Sequence, residues 1–386
     1  MFTILLVIIY VSFISLGLPD SLLGSAWPSM YGKLGVPVSF AGIVSMIISG
    51  GTIVSSLLSN KLIKKLGTGK VTAISVFTTA VALFGFSISN SFISLCIWAV
   101  PYGLGAGSVD VALNNFVALH YKSRHMSWLH CFWGVGATAG PYIMGYCLTG
   151  GKTWNSGYRI ISILQIILTA IIVFSLPLWK MSNPEKAEND KNHKNLSMKE
   201  LLKLPGAKSA LIAFFCYCSL EQTTGLWGAS YMTMSRGMSP KVAAKWASLF
   251  YLGITAGRFI CGFITMKLSD KNIIRLGQSI AVSGILLLLL PFRNIVMCIG
   301  FILIGMGCAP IYPSLLHETP ENFGANLSQA VMGMQMACAY IGSTFMPPLF
   351  GLIAQHISIT LYPLYLIIFV TFMIIMVERL NSIKNR

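Results

Sequence analysis

The residues best placed to do chemistry are three carboxylates that stand where carboxylates are expensive. The chain carries eleven Asp and Glu in 386 residues. Eight of them (Glu185, Glu188, Asp190, Glu200, Asp270, Glu318, Glu321 and Glu378) fall in segments expected at the cytoplasmic surface. Asp20, Asp110 and Glu221 instead fall inside long apolar runs. A carboxylate near the middle of a bilayer costs roughly 2.5–3.5 kcal/mol on insertion scales. It persists by facing a wet cavity, by pairing with a cation, or by taking up a proton when desolvation disfavours its charge. The last behaviour is what proton coupling requires, so Asp20, Asp110 and Glu221 are the expected proton-coupling residues. The bland alternative is structural pairing with helix ends or with Arg258, itself within an apolar run. Arg258 reads as a structural partner or an inner-gate residue rather than a substrate contact.

Polar and aromatic side chains gather near these acids at helical spacing. Asp110 and Asn114 are four apart and His130 and Trp133 three apart, so each pair shares a helix face. Gln222 adjoins Glu221, and Trp227 follows six residues after the acid. Sugar recognition uses flat apolar faces for stacking and amide or carboxylate groups for hydroxyls. Trp27, Trp133, Trp227, Asn114, Gln222, His130 and Gln335 could supply both, with Tyr340 and the less favourably directed Asn115 behind them. The competing readings are concrete. Trp27 or Tyr340 could belong to an interfacial aromatic belt, and His130 could be a packing histidine.

The elements that would position these groups are membrane helices. Hydrophobic residues make up 55% of the chain and charged residues only 10%, against roughly a quarter charged in a soluble domain. Apolar runs long enough to cross a bilayer lie near 2–30, 39–59, 71–88, 91–119, 126–149, 157–179, 207–233, 241–266, 272–291, 294–316, 326–354 and 359–380. The first has no basic region ahead of it and is too long for a signal-peptide core, so it reads as a retained helix. The fold class expected is an all-α membrane protein, multi-pass in the cell membrane, with twelve transmembrane helices. Residues 1–180 would form one six-helix bundle and 206–386 another. The polar segment 181–205 would be a linker between them.

Charge orients this arrangement. With the N-terminus inside, inward-facing segments hold nineteen Lys and Arg and outward-facing ones seven. Both termini are therefore expected in the cytoplasm. The net charge of +16 points to anionic lipid of the inner leaflet, not to nucleic acid.

An internal duplication supports two equivalent halves. Gly51, Lys61 and Leu62 recur as Gly257, Lys267 and Leu268, and Gly136, Pro141 and Gly145 as Gly342, Pro347 and Gly351, all at an offset of 206. Asp20 and Gly24 recur as Glu221 and Gly225 at 201, and Gly105 and Gly107 as Gly305 and Gly307 at 200. Repeats of this kind bind solute between the halves near the bilayer midplane.

On these residues a resemblance stands out. GLPDSLLGSAWPSMY around Asp20 and GLGAGSVDVALNNFV around Asp110 and Asn114 resemble the first and fourth helices of the fucose–proton symporter family of the major facilitator superfamily. GMGCAPIYPSLLHET and QMACAYIGSTFMPPLFG are similar to its tenth and eleventh. The resemblance implies the major facilitator fold, with an Asp midway along the first helix and an acid followed by Asn in the fourth, here Asp20, Asp110 and Asn114. His130 and Trp133 stand where the family has an amide and another polar side chain. The superfamily's loop signature between the second and third helices is degraded to NKLIKKLGTGK, with Asn60 and Lys64 in place of glycine and aspartate. Lys64 cannot serve as an acidic helix cap, which leaves Asp270, in the matching loop of the second half, as the expected gate latch.

Together these observations predict proton-coupled symport of a monosaccharide or related small polar solute, with sodium as the alternative ion. Within transport the other reading is a drug or lipid exporter, since GATAGPYIMG partly matches a bend common in antiporters. A non-transporting receptor or scaffold is the reading from another class. No enzyme is expected, because no nucleophile–base pair stands out. No cofactor or metal is expected either: the nine cysteines form no CxxC pair, and Cys216 and Cys218, two apart on a helix, diverge.

Overall fold

Every regular element among the described residues is a helix. The computed structural model of the chain describes residues 2–121, 123–180, 198–264, 268–290 and 294–384. Residues 181–197 of the expected linker lie outside them, as do the side chains of Asn60, Lys64 and Asn115. The first half comprises α1 (Phe2–Asp20), α2 (Leu22–Met30), α3 (Phe40–Leu66), α4 (Thr68–Ile88), α5 (Phe92–His120), α6 (Ser123–Thr149) and α7 (Trp154–Lys180). A short α8 (Met198–Leu201) leads into α9 (Ala207–Arg236), α10 (Pro240–Ile264), α11 (Asp270–Leu289) and α12 (Asn294–His317). The chain ends with α13 (Thr319–Phe323), α14 (Ala325–Ile353) and α15 (Tyr362–Lys384).

Twelve long helical passages result, and one expected span is broken. Residues 2–30 form two helices, α1 and α2, joined at Ser21. Pro19 sits just before the break and cannot donate the backbone hydrogen bond that would stiffen this turn. Asp20 is thereby the last residue of α1, at the interruption itself. Nine segments are apolar and long enough to cross a membrane among the described residues, the last of which runs through both α14 and α15. The long helices outside that set are α6 and α9. They carry His130, Trp133, Glu221 and Gln222, as expected of helices that face a polar interior more than lipid.

The two halves pack alike. The pairs α1·α6, α3·α5, α4·α5 and α4·α7 in the first half have the counterparts α9·α14, α10·α12, α11·α12 and α11·α15 in the second. Glycines mark the equivalence, since each lets one backbone meet another. Gly136 faces the Ile14 carbonyl as Gly342 faces that of Phe215, which fits offsets of 206 and 201. For α5 and α12 the geometry corrects the sequence alignment. Gly103 faces the Ile48 carbonyl as Gly305 faces Phe250, and Gly105 faces Ser75 as Gly307 faces Gly277. The structural offset there is 202, one residue pair away from the 200 read from the glycines alone.

Between the halves, α6 packs on α10, α3 on α14 and α2 on α9. At one end these contacts are backbone-close. A Cβ on Gly24 would lie 2.8 Å from the Leu226 carbonyl oxygen, one on Gly42 2.6 Å from Pro348 Cα, and one on Gly145 2.7 Å from the Lys245 nitrogen. Ser39 donates a hydrogen bond to Gln355 across the same end, and the Lys245 ammonium sits 6.0 Å from the Tyr142 ring centroid. These contacts seal the end of the molecule opposite α8 and the last turns of α15.

Candidate functional site

A cavity of about 290 Å³ lies between the halves, and Asp20, Asp110 and Glu221 all line it. Six helices present stripes to it at three- and four-residue spacing: Phe13, Leu16 and Asp20 from α1, Ile48 and Thr52 from α3, Ala106 and Asp110 from α5, His130 and Trp133 from α6. The second half adds Cys218, Glu221 and Gln222 from α9, then Met336, Ala339, Tyr340 and Ser343 from α14. This is the one-face periodicity of an α-helix turned towards a shared void.

The three acids have different surroundings. Asp20 accepts a hydrogen bond from Trp133 Nε1 at 2.9 Å and a longer one from Tyr102 Oη at 3.4 Å. Asp110 accepts from Asn114 Nδ2 at 2.9 Å, an amide one helical turn away that also donates to the Asp110 carbonyl. No ion pair of any of the three acids is found among the described residues, and Glu221 has no hydrogen-bonded side-chain partner among them. Glu221 is therefore the carboxylate with its acceptor capacity open to the cavity. Its neighbour Gln222 is exposed there as well.

Trp133 connects the halves. Its edge donates to Asp20, while its face lies 5.1 Å from the Arg258 guanidinium carbon of α10. Arg258 also donates from Nη1 to the His130 carbonyl at 3.2 Å, and Tyr251 packs edge-on against Trp133 at 6.4 Å between centroids. Arg258 thus lines the cavity and bridges α10 to α6 with a hydrogen bond and a cation–π contact, an interaction that gains strength when desolvated.

Several expectations need correction. Trp27 is fully buried and donates Nε1–H to the Val38 carbonyl at 2.7 Å. Trp227 is fully buried too, donates to the Pro347 carbonyl at 2.7 Å and packs on Phe350. Nine residues separate Trp227 from Cys218, which on an α-helix turns it about 180° from the cavity face. Gln335 is 1% exposed and accepts from Thr319 Oγ1 at 3.1 Å; it lies a quarter-turn off the stripe begun by Met336. None of these three lines the cavity. Asn114 reaches it only through Asp110. Asp270 pairs with His317 at 2.7 Å, which ties α11 to α12 inside the second half; among the described residues it forms no ion pair with the first half.

Other residues of the site escaped the sequence reading. Tyr102, which stands behind the lining and donates to Asp20, lies eight residues before Asp110, with Ala106 between them on the same face; following the stripe back by fours finds it. Tyr312 and Thr52 line the cavity, and nothing in their local sequence marks them.

Two bundles of membrane helices around a central polar cavity define a transporter fold. The chain belongs to the Major Facilitator Superfamily, whose family profile matches residues 9–277 and 211–381. Relatives include Bypass of stop codon protein 6 of Saccharomyces cerevisiae, 25% identical over 92% of this chain and 78% of the relative. The cis,cis-muconate transport protein of Acinetobacter baylyi is 21% identical over 83% of this chain and 80% of its own length. The glucose/mannose transporter GlcP of Bacillus subtilis is 21% identical over 80% and 77%. Among solved structures, a variant of the nucleoside transporter NupG aligns with a TM-score of 0.76 at 14% identity, covering 97% of this chain and 98% of that one. The protein is accordingly a multi-pass membrane transporter of this superfamily.

Proposed function

We propose that the chain takes up a monosaccharide or related small polar solute by proton-coupled symport. The observation that carries this reading is the convergence of Asp20, Asp110 and Glu221 on one cavity that also presents Gln222, Tyr340 and the Trp133 indole. A sugar needs acceptors for its hydroxyls and a flat face for its C–H surface, and this lining has both. The glucose/mannose transporter among the relatives is in keeping with that chemistry.

In this mechanism Glu221 and Gln222 hold solute hydroxyls beside Trp133, and Asp20 or Asp110 takes the proton. Enclosing a carboxylate in a closed site is costly while it is charged and cheaper once it is neutral, so protonation and solute binding together favour occlusion. Positive-inside orientation puts both termini in the cytoplasm, which makes the sealed end the outer one and this conformation inward-facing.

The test is uptake of a labelled monosaccharide panel into proteoliposomes under an imposed pH gradient, with a sodium gradient as the parallel arm. Proton-driven accumulation that a protonophore collapses is expected. Asp110→Asn should abolish that accumulation and leave counterflow exchange intact; loss of both would remove Asp110 from the coupling role. The second reading, export of an apolar cation by proton antiport, is favoured by Phe13, Leu16 and Met336 in the same lining. Stabilisation of the purified protein by hydrophobic cations and by no sugar would replace the first reading with the second.

A further inference from the structure

A second cavity, of about 410 Å³, lies outside the transport path, where α8, the first turns of α9 and the last turns of α15 meet. We propose that it binds the headgroup of an anionic phospholipid from the leaflet on that side. Its polar wall is Lys203, Lys208 and Arg379, and its apolar wall includes Leu204, Ile212 and Ile383. No carboxylate of the described residues lies within ion-pairing distance of any of the three cations. Acids close by in the chain are already engaged: Glu378 with Arg275 at 2.6 Å and Glu321 with Lys384 at 3.0 Å, and Glu200, three residues before Lys203, is not free either.

The groove is built, not incidental. Leu201 and Leu204 anchor the α8 segment against Leu211, Val331 and Met334, which fixes the stretch that carries Lys203. Gly206, at φ +83°, makes the turn into α9, where a Cβ would meet Leu380 at 2.7 Å. Three cations unpaired among the described residues, beside an apolar wall at the ends of two membrane-spanning helices, complement a phosphate diester with glycerol and acyl chains attached. The opening of α9 adds its positive dipole end to the same side. A free inorganic anion would use the cations and leave the apolar wall unfilled, so the lipid is the better complement.

Photoactivatable phosphatidylglycerol, reacted with the unmodified full-length protein, tests the proposal, with phosphatidylcholine as the neutral comparison. Labelling is expected within residues 202–212 and 376–383. Native mass spectrometry supplies the affinity arm. Removing the cations in Lys203→Gln, Lys208→Gln and Arg379→Gln together should weaken phosphatidylglycerol retention by about fivefold per cation, on the order of 100-fold in all. The charge-conserving set Lys203→Arg, Lys208→Arg and Arg379→Lys should restore it. Equal labelling by both lipids, or labelling spread over the other helices, would overturn the proposal. So would displacement of phosphatidylglycerol by millimolar inorganic phosphate, which would mark a site for a free anion.

Discussion

Substituting Gly24 should open the sealed end without unfolding either half. The three atoms nearest an added Cβ all belong to α9 of the other half: the Gly225 carbonyl oxygen, the Leu226 oxygen at 2.8 Å and Leu226 Cα at 2.9 Å. Carbon contacts settle at about 3.5–4.0 Å, so α2 and α9 must part by on the order of 1 Å even for alanine. Overpacking of this kind costs about 1–3 kcal/mol. That cost falls on the sealed state alone, because the conformation open at this end has no α2–α9 contact to crowd. A bias of this size moves the equilibrium by about 5–150-fold. The readout is alkylation of Cys218, a cavity residue, by a membrane-impermeant maleimide applied from the sealed side, with the other cysteines replaced by serine. Gly24→Ala should speed labelling by a factor in that range, and Gly24→Leu by more. Gly32, with nothing within 4 Å of an added Cβ, is the control at the same end and should change nothing. Gly17, which faces Ala137 and Trp133 within its own half, should lower the yield of folded protein when substituted. An unchanged Cys218 rate in folded Gly24→Leu would refute the reasoning.

Trp27→Phe and Trp227→Phe should each orphan a buried carbonyl partner and lower stability by about 1–3 kcal/mol while leaving the KM for solute unchanged; thermal unfolding and transport kinetics separate the two effects. Glu221→Gln keeps the shape and removes the unpartnered charge, so it should raise KM by about 10-fold or more, as for loss of a hydrogen bond to a charged group, read in counterflow exchange. Glu318, 3% exposed at the turn between α12 and α13, has its carboxyl pushed above the ordinary glutamate value of 4.5 by burial first and by Asp270 second. Its ionisation is therefore opposed by folding. Stability should fall as pH rises from that ordinary value through the raised one, and Glu318→Gln should flatten this part of the melting-temperature profile.

What could be read from sequence followed from cost. Twelve apolar passages were legible because a membrane leaves the backbone few alternatives to a helix, and the observed ends agree to within a few residues, apart from α3, which runs seven residues further, to Leu66. The other exception, the break after Asp20, rests on Pro19, whose effect depends on whether neighbouring helices straighten the kink or use it. The three acids were legible for the same reason: an uncompensated charge in lipid is costly enough that a shared wet cavity is the economical outcome. Indoles and amides carry no comparable penalty. Trp27, Trp227 and Trp133 have identical donors. Two of them found backbone carbonyls and one found Asp20, and only the packing of α2, α9 and α6 decides which.

That difference also explains where the second half departs from the first. Asp20 and Glu221 occupy corresponding helices, yet Asp20 is held by two donors and Glu221 by none among the described residues. The donors are Tyr102 and Trp133, from α5 and α6. A duplicated backbone positions a carboxylate in each half, and the neighbours then make the two unlike. One carboxylate is tied into the bridge that runs through Trp133 to Arg258 and so to the partner half. The other faces the void unencumbered. On the proposed reading the two acids divide the work: Asp20, bonded to the indole whose face meets Arg258 of the other half, responds to the separation of the halves, and Glu221, with free lone pairs, meets the solute.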